Sequence, residues 1–544
     1  MHDDQEKYTP PSRVDTPVSI VKSQSSCTPI IHYSSSSTLQ TPYTIYGKWQ
    51  KRFIVLGAAI AALLSSVTTN IYLPVLPVLA DHFNVTESKI NLTITTYLVF
   101  QGVTPAILGG FTDRYGRRPT YMICLTISML SNVGLAVSDR YVELLVIRCF
   151  QAIGVASLQA LCQAVVADVI TNAERGQYMA LTQLAPILGP SLGALLGGTL
   201  AYLLGWRSVF MFLAISSLVI LSLMLLFFPE TCRRIAGDGS QPVSKVYQPL
   251  RHLIKVYRVS RTSDNHVPSD RDTDRVERQN GAAAAPILLT LSQALILFFR
   301  KELCLLTLYN GLIFGGIQAI STTIPSQFME IYQLNTFRIG LLYLPVVGGG
   351  VIATLIIGKA MNWNFARYAR KGDISALEHG RQHDLYDFPI ERARIQVALP
   401  ALVISIVSVA AWGWSLEKGT SIAVPCMLIF CVAFGLIGVN SAMTSLVADT
   451  HPGQAGSAAA ANNIGRFGLA AIMTAAIQPL IHAVGIGLAC TIISCLYILF
   501  SPLLFVVMFR GMRWRVALRE KEEAREREKH GVGGANDPEQ STTG

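Results

Sequence analysis

Asp113, Arg114, Arg117 and Arg118 stand close together in the stretch Gly109-Gly110-Phe111-Thr112-Asp113-Arg114-Tyr115-Gly116-Arg117-Arg118-Pro119-Thr120-Tyr121. A carboxylate beside guanidiniums can form charge-assisted, bidentate contacts. It can also feel the dipole of a neighbouring helix. The stretch joins two long apolar runs. A turn this short between two such runs must lie at a membrane face, and its arginines assign it to the cytosolic side. Asp168, at the inner end of a later apolar run, can pair with Arg117 or Arg118 across that face. With Asp113 it would make a charge network that closes a cytosolic gate, ordered in the outward-open state and broken in the inward-open one. The plainer alternatives are a hairpin with topogenic arginines and, for Asp168, a solvated surface cluster.

Other polar residues lie inside apolar runs. Arg148-Cys149-Phe150-Gln151-Ala152-Ile153-Gly154 places an arginine several residues within one. Such a charge is costly unless it faces a cavity or a partner, and the alternative is a side chain that snorkels to the interface. The second half of the chain offers Tyr309, Asn310, Gln318, Asn440, Asn462, Asn463 and Arg466. Interhelical hydrogen bonding explains most of the amides. Arg466, near mid-run, is read as facing a cavity, with Asn462 one helical turn away on its face. Glycines 189, 193 and 197 form a small stripe beside Pro190, which allows close helix contact and a local break in the backbone ladder. Asp81, Asp168, Glu330 and Asp449 all sit at or near the ends of apolar runs, with no acid near the middle of one. A cavity with Arg148 and Arg466 and no central acid suits an anionic or polar neutral substrate. There is no phosphate-binding loop, and no nucleophile or metal-ligand spacing. An enzyme, a nucleotide-driven pump, a metal and a cofactor are therefore not expected.

These residues require elements that cross a bilayer. Of 544 residues 51% are apolar and 14% charged, with a mean hydropathy of +0.42. Soluble chains carry roughly 25% charged residues, and spans of about 20 residues must exclude charge. Apolar runs fall at about 53–79, 90–112, 119–137, 141–166, 176–203 and 207–229, then 302–325, 336–360, 395–415, 421–447, 455–481 and 484–508. The fold expected is an all-α membrane protein of twelve transmembrane helices in two six-helix bundles, 47–229 and 301–509. A disordered tail (1–46), a basic linker (230–300), a long polar loop (362–394) and a charged tail (510–544) would all be cytosolic. Pro74 and Pro77 should bend the outer end of the first span. No signal peptide is read in the polar start, so the first span should direct its own insertion. The net charge of +10 follows topology and does not point to nucleic acid. The ten cysteines are scattered singly. Asn84-Val85-Thr86 and Asn91-Leu92-Thr93 are glycosylation sequons, with Asn84 better placed. Gly358-x3-Asn362 echoes Gly109-x3-Asp113 at the matching place in the second half, as parallel repeats would.

Gly109-x3-Asp113-Arg114-x-Gly116-Arg117-Arg118 resembles the signature loop of the major facilitator superfamily, with Phe111 where leucine is usual. Arg148-x2-Gln151-x2-Gly154 resembles its fourth-helix signature, where the arginine serves proton coupling or the transport path. Gly189-Pro190-x2-Gly193 resembles the exporters' antiporter motif, with Ala185 and Ala194 replacing its flanking glycines. The stretches around Asn70-Ile71-Tyr72-Leu73-Pro74, Glu174-Arg175-Gly176, Phe228-Pro229-Glu230-Thr231, Asp387-Phe388-Pro389-Ile390-Glu391 and Ala460 to Arg466 are similar to the fungal twelve-span drug:proton antiporters, nearest the quinidine-resistance and citrate-exporter branch. The resemblance implies a monomeric plasma-membrane exporter of drugs or secondary metabolites that exchanges protons by alternating access. Asn70, Arg148, Gln151, Tyr309, Asn310, Asn462 and Arg466 would line its path. An organic-acid exporter without strict proton exchange, and a transporter-like sensor, are the other readings.

Overall fold

Where each apolar run ends, glycine, proline and polar residues set the turns. The computed structural model describes residues 47–170, 178, 182, 184–237, 247–249, 295–371, 389–450 and 455–533. The expectations for the tail 1–46, for 238–246 and 250–294 of the linker, for 372–388 and for the last residues from 534 lie outside that set.

The first span runs as α1 (Lys48–Asn70), a 3-10 turn (Leu73–Val75) and α2 (Leu76–His82). Pro74 and Pro77 stand in the first turns of the short elements, where a missing N–H costs least. The expected bend is therefore a true break. α3 (Glu87–Tyr115) opens on Thr86, whose hydroxyl accepts from Lys89 N at 3.4 Å. It closes on Gly116 at φ +96°, and α4 (Arg117–Val137) begins on the next residue. Glycine is required there by the backbone and by space, since a Cβ would run into the Glu230 carboxylate.

α5 (Tyr141–Ala156) and α6 (Leu158–Val169) make one span broken at Ser157. α7 (Leu184–Leu204) is the fifth crossing, and α8 (Arg207–Phe227) the sixth, followed by one turn, α9 (Arg233–Ala236). The second half holds α10 (Lys301–Tyr332), α11 (Thr336–Leu341), α12 (Tyr343–Lys371), α13 (Ile390–Glu417), α14 (Ala423–Thr450), α15 (Ala455–Val484) and α16 (Ile486–Gly533). Eleven helical segments are long and apolar enough to cross a membrane. With α7 they make the twelve spans expected. No strand occurs among the described residues.

The helices do not stop where the apolar runs stop. α12 continues past the eighth span, and α16 carries straight through the charged run at 519–529. Backbone hydrogen bonding satisfied within the helix favours continuation into water wherever the sequence offers good helix formers.

The helices form two halves, α1–α8 and α10–α16, each packed mainly within itself. The glycine stripe of α7 lies against α1: a Cβ at Gly193 would meet Val67 O at 2.8 Å and Ile71 N at 3.0 Å. Three seams join the halves. α3 lies along α15, α7 meets α11 and α12, and α10 meets the 3-10 turn and α2. The face bearing the turn at Gly116 is here called the motif face, and the face bearing Phe83–Thr86 the far face.

Candidate functional site

Asp113, in the last turn of α3, faces Arg117, the first residue of α4, and its Oδ1 accepts from Arg117 Nη1 at 2.8 Å. Arg117 Nε donates to Asp168 Oδ2 at 3.0 Å. Arg233 Nε, from α9, donates to the Asp168 carbonyl at 3.0 Å. Arg117 and Asp168 are 13% and 14% exposed, whereas Asp113 is 66% exposed. The inner ion pair is therefore shielded and the outer one largely screened by solvent.

Of the two partners expected for Asp168, Arg117 is the one it takes. Arg118 is buried and its Nη2 donates to Leu225 O at 2.9 Å, because the next position in the first turn of α4 points it toward α8. Arg114 is exposed, with its guanidinium over the neighbouring Tyr115 ring at 5.5 Å.

Glu230 was not singled out for this network, yet it anchors the turn. It is 2% exposed. Its Oε1 accepts from the backbone N–H of Arg117, Thr231 and Cys232, each at 2.9 Å, and its Oε2 from that of Arg118 at 3.1 Å. A carboxylate thus sits on the exposed N–H groups at the start of α4, where the helix dipole also favours it. Burial pushes the Glu230 carboxyl above its ordinary value, and the backbone donors act against that push. The only sequence signal was Phe228-Pro229-Glu230-Thr231, which ends the sixth span.

The second half repeats the arrangement. Arg394, near the start of α13, pairs with Asp449 at the end of α14 at 2.9 Å. These are the ninth and tenth spans, as Arg117 and Asp168 are in the third and fourth. Arg515 of α16 pairs with Glu391 at 3.1 Å, with both side chains buried. The repeat is clearer in these ion pairs than in the glycine echo at Gly358.

Arg148 neither faces solvent nor snorkels. It is 1% exposed, with its guanidinium 3.8 Å from the Tyr72 ring centre and 4.6 Å from that of Tyr97. Nη1 donates to Gln151 Oε1 at 2.5 Å, and Gln151 Nε2 to Asn132 Oδ1 at 2.6 Å. Two aromatic faces and an amide chain take the place of a counter-ion, which ties the break after α1 to α3, α4 and α5. Asn70 bonds back to Ser66 O in its own helix at 2.9 Å.

In the second half Asn310 Nδ2 donates to Asn462 Oδ1 at 3.1 Å, and Tyr309 OH to Tyr497 O at 3.5 Å. Asn462 does not serve Arg466 as expected. The guanidinium turns to Asn463 Oδ1, at 3.0 Å, because Asn462 is drawn toward α10. Arg466 lies 4.6 Å from the Phe314 ring centre and 4.8 Å from that of Phe467. Phe467 is also the seam residue that faces Gly102 of α3. Arg466 thus stands beside the junction of the two halves among the neutral side chains of Asn463, Phe314 and Phe467, whereas Arg148 is enclosed within one half.

Asn84 is exposed at the end of the first span, at φ +51°. Asn91 is 4% exposed inside α3 and lines a cavity with Leu76 and Thr322, so the expectation of glycosylation there is corrected. α3 begins at Glu87, which carries Asn91 into the packed interior.

The cross-half contacts named by residue lie at mid-depth or toward the far face. Gly102 faces Phe467 and Asn463, Gly198 faces Thr336 and Gly340, and Gln478 bonds to Glu87. On the motif face, by contrast, the ion pairs among the described residues each stay within one half. Gly109 and Gly358, at the motif-face ends of α3 and α12, have open space where a side chain would stand.

The family model described as "Major Facilitator Superfamily" matches residues 58–475. The chain is 36% identical over 493 residues to "MFS-type transporter phiD" of a fungal species, covering 90% of this chain and 73% of that protein. It is 34% identical to "MFS-type transporter tstD" of Talaromyces stipitatus, covering 87% and 84%. It is 31% identical to "Quinidine resistance protein 1" of Saccharomyces cerevisiae, covering 86% and 85%. Among solved structures, the xylose transporter XylE of E. coli, in a partially occluded inward-open conformation, superposes with a TM-score of 0.55 at 16% identity, covering 85% of this chain and 98% of that one. The chain belongs to the major facilitator superfamily and is a multi-pass membrane transporter, not an enzyme.

Proposed function

We propose that this member of the superfamily is a plasma-membrane exporter of small organic molecules, of the drug or secondary-metabolite class, working as a monomer by alternating access with proton antiport. The observation that carries the reading is the distribution of contacts. Among the described residues, the halves meet at Gly102–Phe467, Gly198–Gly340 and Glu87–Gln478, at mid-depth and toward the far face, while the motif face carries ion networks that each brace one half. Two braced bodies that meet at one side are what a rocking transporter requires. The relatives named as MFS-type transporters and as a quinidine resistance protein support export of such compounds.

In this reading the motif face is cytosolic, because Arg114, Arg117 and Arg118 crowd it, and both termini lie on that side. Asp113, Arg117 and Asp168 brace the cytosolic end of the first half, held in place by Glu230, and stay paired with this face open, so they are not the gate lock that the sequence suggests. Arg148 and Gln151 set the shape of the first half, and the substrate lies between the halves near Arg466, Asn310 and Asn462. Gly189, Pro190 and Gly193 pack α7 on α1, so that the two move together.

A second reading, an organic-acid exporter without strict proton exchange, is favoured by Arg466. A guanidinium at the junction, beside aromatic rings and amides, would receive a carboxylate. Flux in proteoliposomes separates the two. The first reading expects export of hydrophobic drugs that rises with an imposed pH gradient and stops when it is collapsed. Transport of organic acids alone, indifferent to the gradient, would support the second. Saturable binding without flux of either class would refute both.

A further inference from the structure

The far-face seam holds a group that the network on the motif face does not use. Glu87 opens α3 in the first half, and its Oε2 accepts a hydrogen bond from Gln478 Nε2 of α15, in the second half. Gln478 is 1% exposed, and its Oε1 is buried without a hydrogen-bond partner. Glu87 also lines a small cavity in the seam with Pro77 and Asn91 of its own half and Thr322 and Ser326 of α10.

A buried amide oxygen left without a donor is costly. A carboxylate has no hydrogen to offer it, and a carboxylic acid has one. Protonated Glu87 can accept from Gln478 Nε2 and donate to Gln478 Oε1 at the same time. The ionised form can make only the first of these bonds.

The two neighbouring carboxylates act in the same direction, and His482 acts against them. Asp81 of α2 stands on the side of Glu87, while Glu330 of α10 and His482, one turn beyond Gln478 on α15, stand across the seam. Lys89, on the helix of Glu87, is exposed. Closing the seam brings Glu87 and Asp81 toward Glu330. Removing one negative charge relieves that repulsion, which His482 offsets only in part.

We propose that Glu87 and Gln478 form a proton-operated latch on the far-face gate, which holds the halves together when Glu87 is protonated and lets them part when it is ionised. The inference rests on the alternating-access reading, in which this face opens to the exterior. An acidic medium then holds the transporter closed to the outside.

Spin labels at Asn84→Cys and Lys418→Cys, exposed far-face positions on the two halves, report the gap in the full chain with its native cysteines replaced. Distances are read by double electron–electron resonance in lipid nanodiscs at about pH 5 and about pH 8, on either side of the range a shifted carboxyl would span. The parent should lose short distances in favour of long ones on going to the higher pH, by roughly five- to tenfold in their ratio, the weight of one such bond. Glu87→Gln, whose amide always offers a donor, should stay short at both. Gln478→Leu should favour the long distance at both, and His482→Asn should keep the response. A pH response that persists in Glu87→Gln or in Gln478→Leu, or that vanishes in His482→Asn, refutes the latch and leaves alternating access standing. One fixed distance in every variant at both pH values refutes both.

Discussion

Replacing Glu230 by glutamine tests the anchor of the motif-face turn. In the parent, one oxygen takes three backbone donors and the other takes a fourth, at 2.9 to 3.1 Å. Glutamine keeps one carbonyl oxygen and turns an NH2 group toward a donor that previously had an acceptor. The loss comprises one hydrogen bond to a charged group, about 2 kcal/mol, and the weakening of three others by removal of the charge, together about 3 kcal/mol. The helix-dipole contribution lost at the start of α4 adds roughly 0.5 kcal/mol. For a folding unit of this size that corresponds to a fall in melting temperature of roughly 6–12 °C. The assay is thermal unfolding of the detergent-purified protein, followed by a thiol-reactive or intrinsic fluorescence signal. Glu230→Asp is the control, since its shorter side chain keeps the charge but not the reach, and it should fall between parent and glutamine. A glutamine variant that melts within about 1 °C of the parent would refute the account of the turn, because no buried carboxylate on four N–H groups should be that dispensable.

Asp113→Asn, with protein still at the membrane, should collapse transport, and near-normal flux there would remove the motif-face network from the mechanism. Arg148→Met should lower folded yield and melting temperature, by about 3 kcal/mol from the loss of two cation–π contacts and a buried amide chain, while the substrate KM of the surviving protein changes little; a large KM change with normal stability would return Arg148 to the binding site. In a eukaryotic host, endoglycosidase should shift the mobility of the parent and of Asn91→Gln equally and leave Asn84→Gln unmoved, and a shift that depends on Asn91 would contradict its burial.

Much of this was legible in the chain because it depends on local composition. The twelve spans follow from apolar runs, the break after α1 from Pro74 and Pro77, and the Asp113–Arg117 pair from helical spacing across a single glycine. What escaped reading depends on residues far apart in sequence. Glu230 lies 113 positions from Arg117, and Gln478 lies 391 from Glu87. Neither spacing carries any period that a sequence displays. Asn462 and Asn463 are adjacent, so only helix rotation decides which serves Arg466 and which serves Asn310. The buried position of Asn91 turns on where α3 begins, which the apolar run did not fix. Asp449 is visible as a charge at a span end, but its partner Arg394 and the pair's kinship with Arg117–Asp168 required the ninth and tenth spans to be set beside the third and fourth.

The central claim is that the halves must separate along the seam between α3 and α15 for transport to occur. A Cβ on Gly102 would stand 2.8 Å from that of Phe467, so Gly102→Cys with Phe467→Cys, in a chain cleared of its other cysteines, should bond across the seam after a small adjustment. Substrate flux is then measured in proteoliposomes with the pair oxidised and again after reduction. The account expects flux to stop in the bonded protein and return on reduction. Undiminished flux through a fully bonded seam would contradict it.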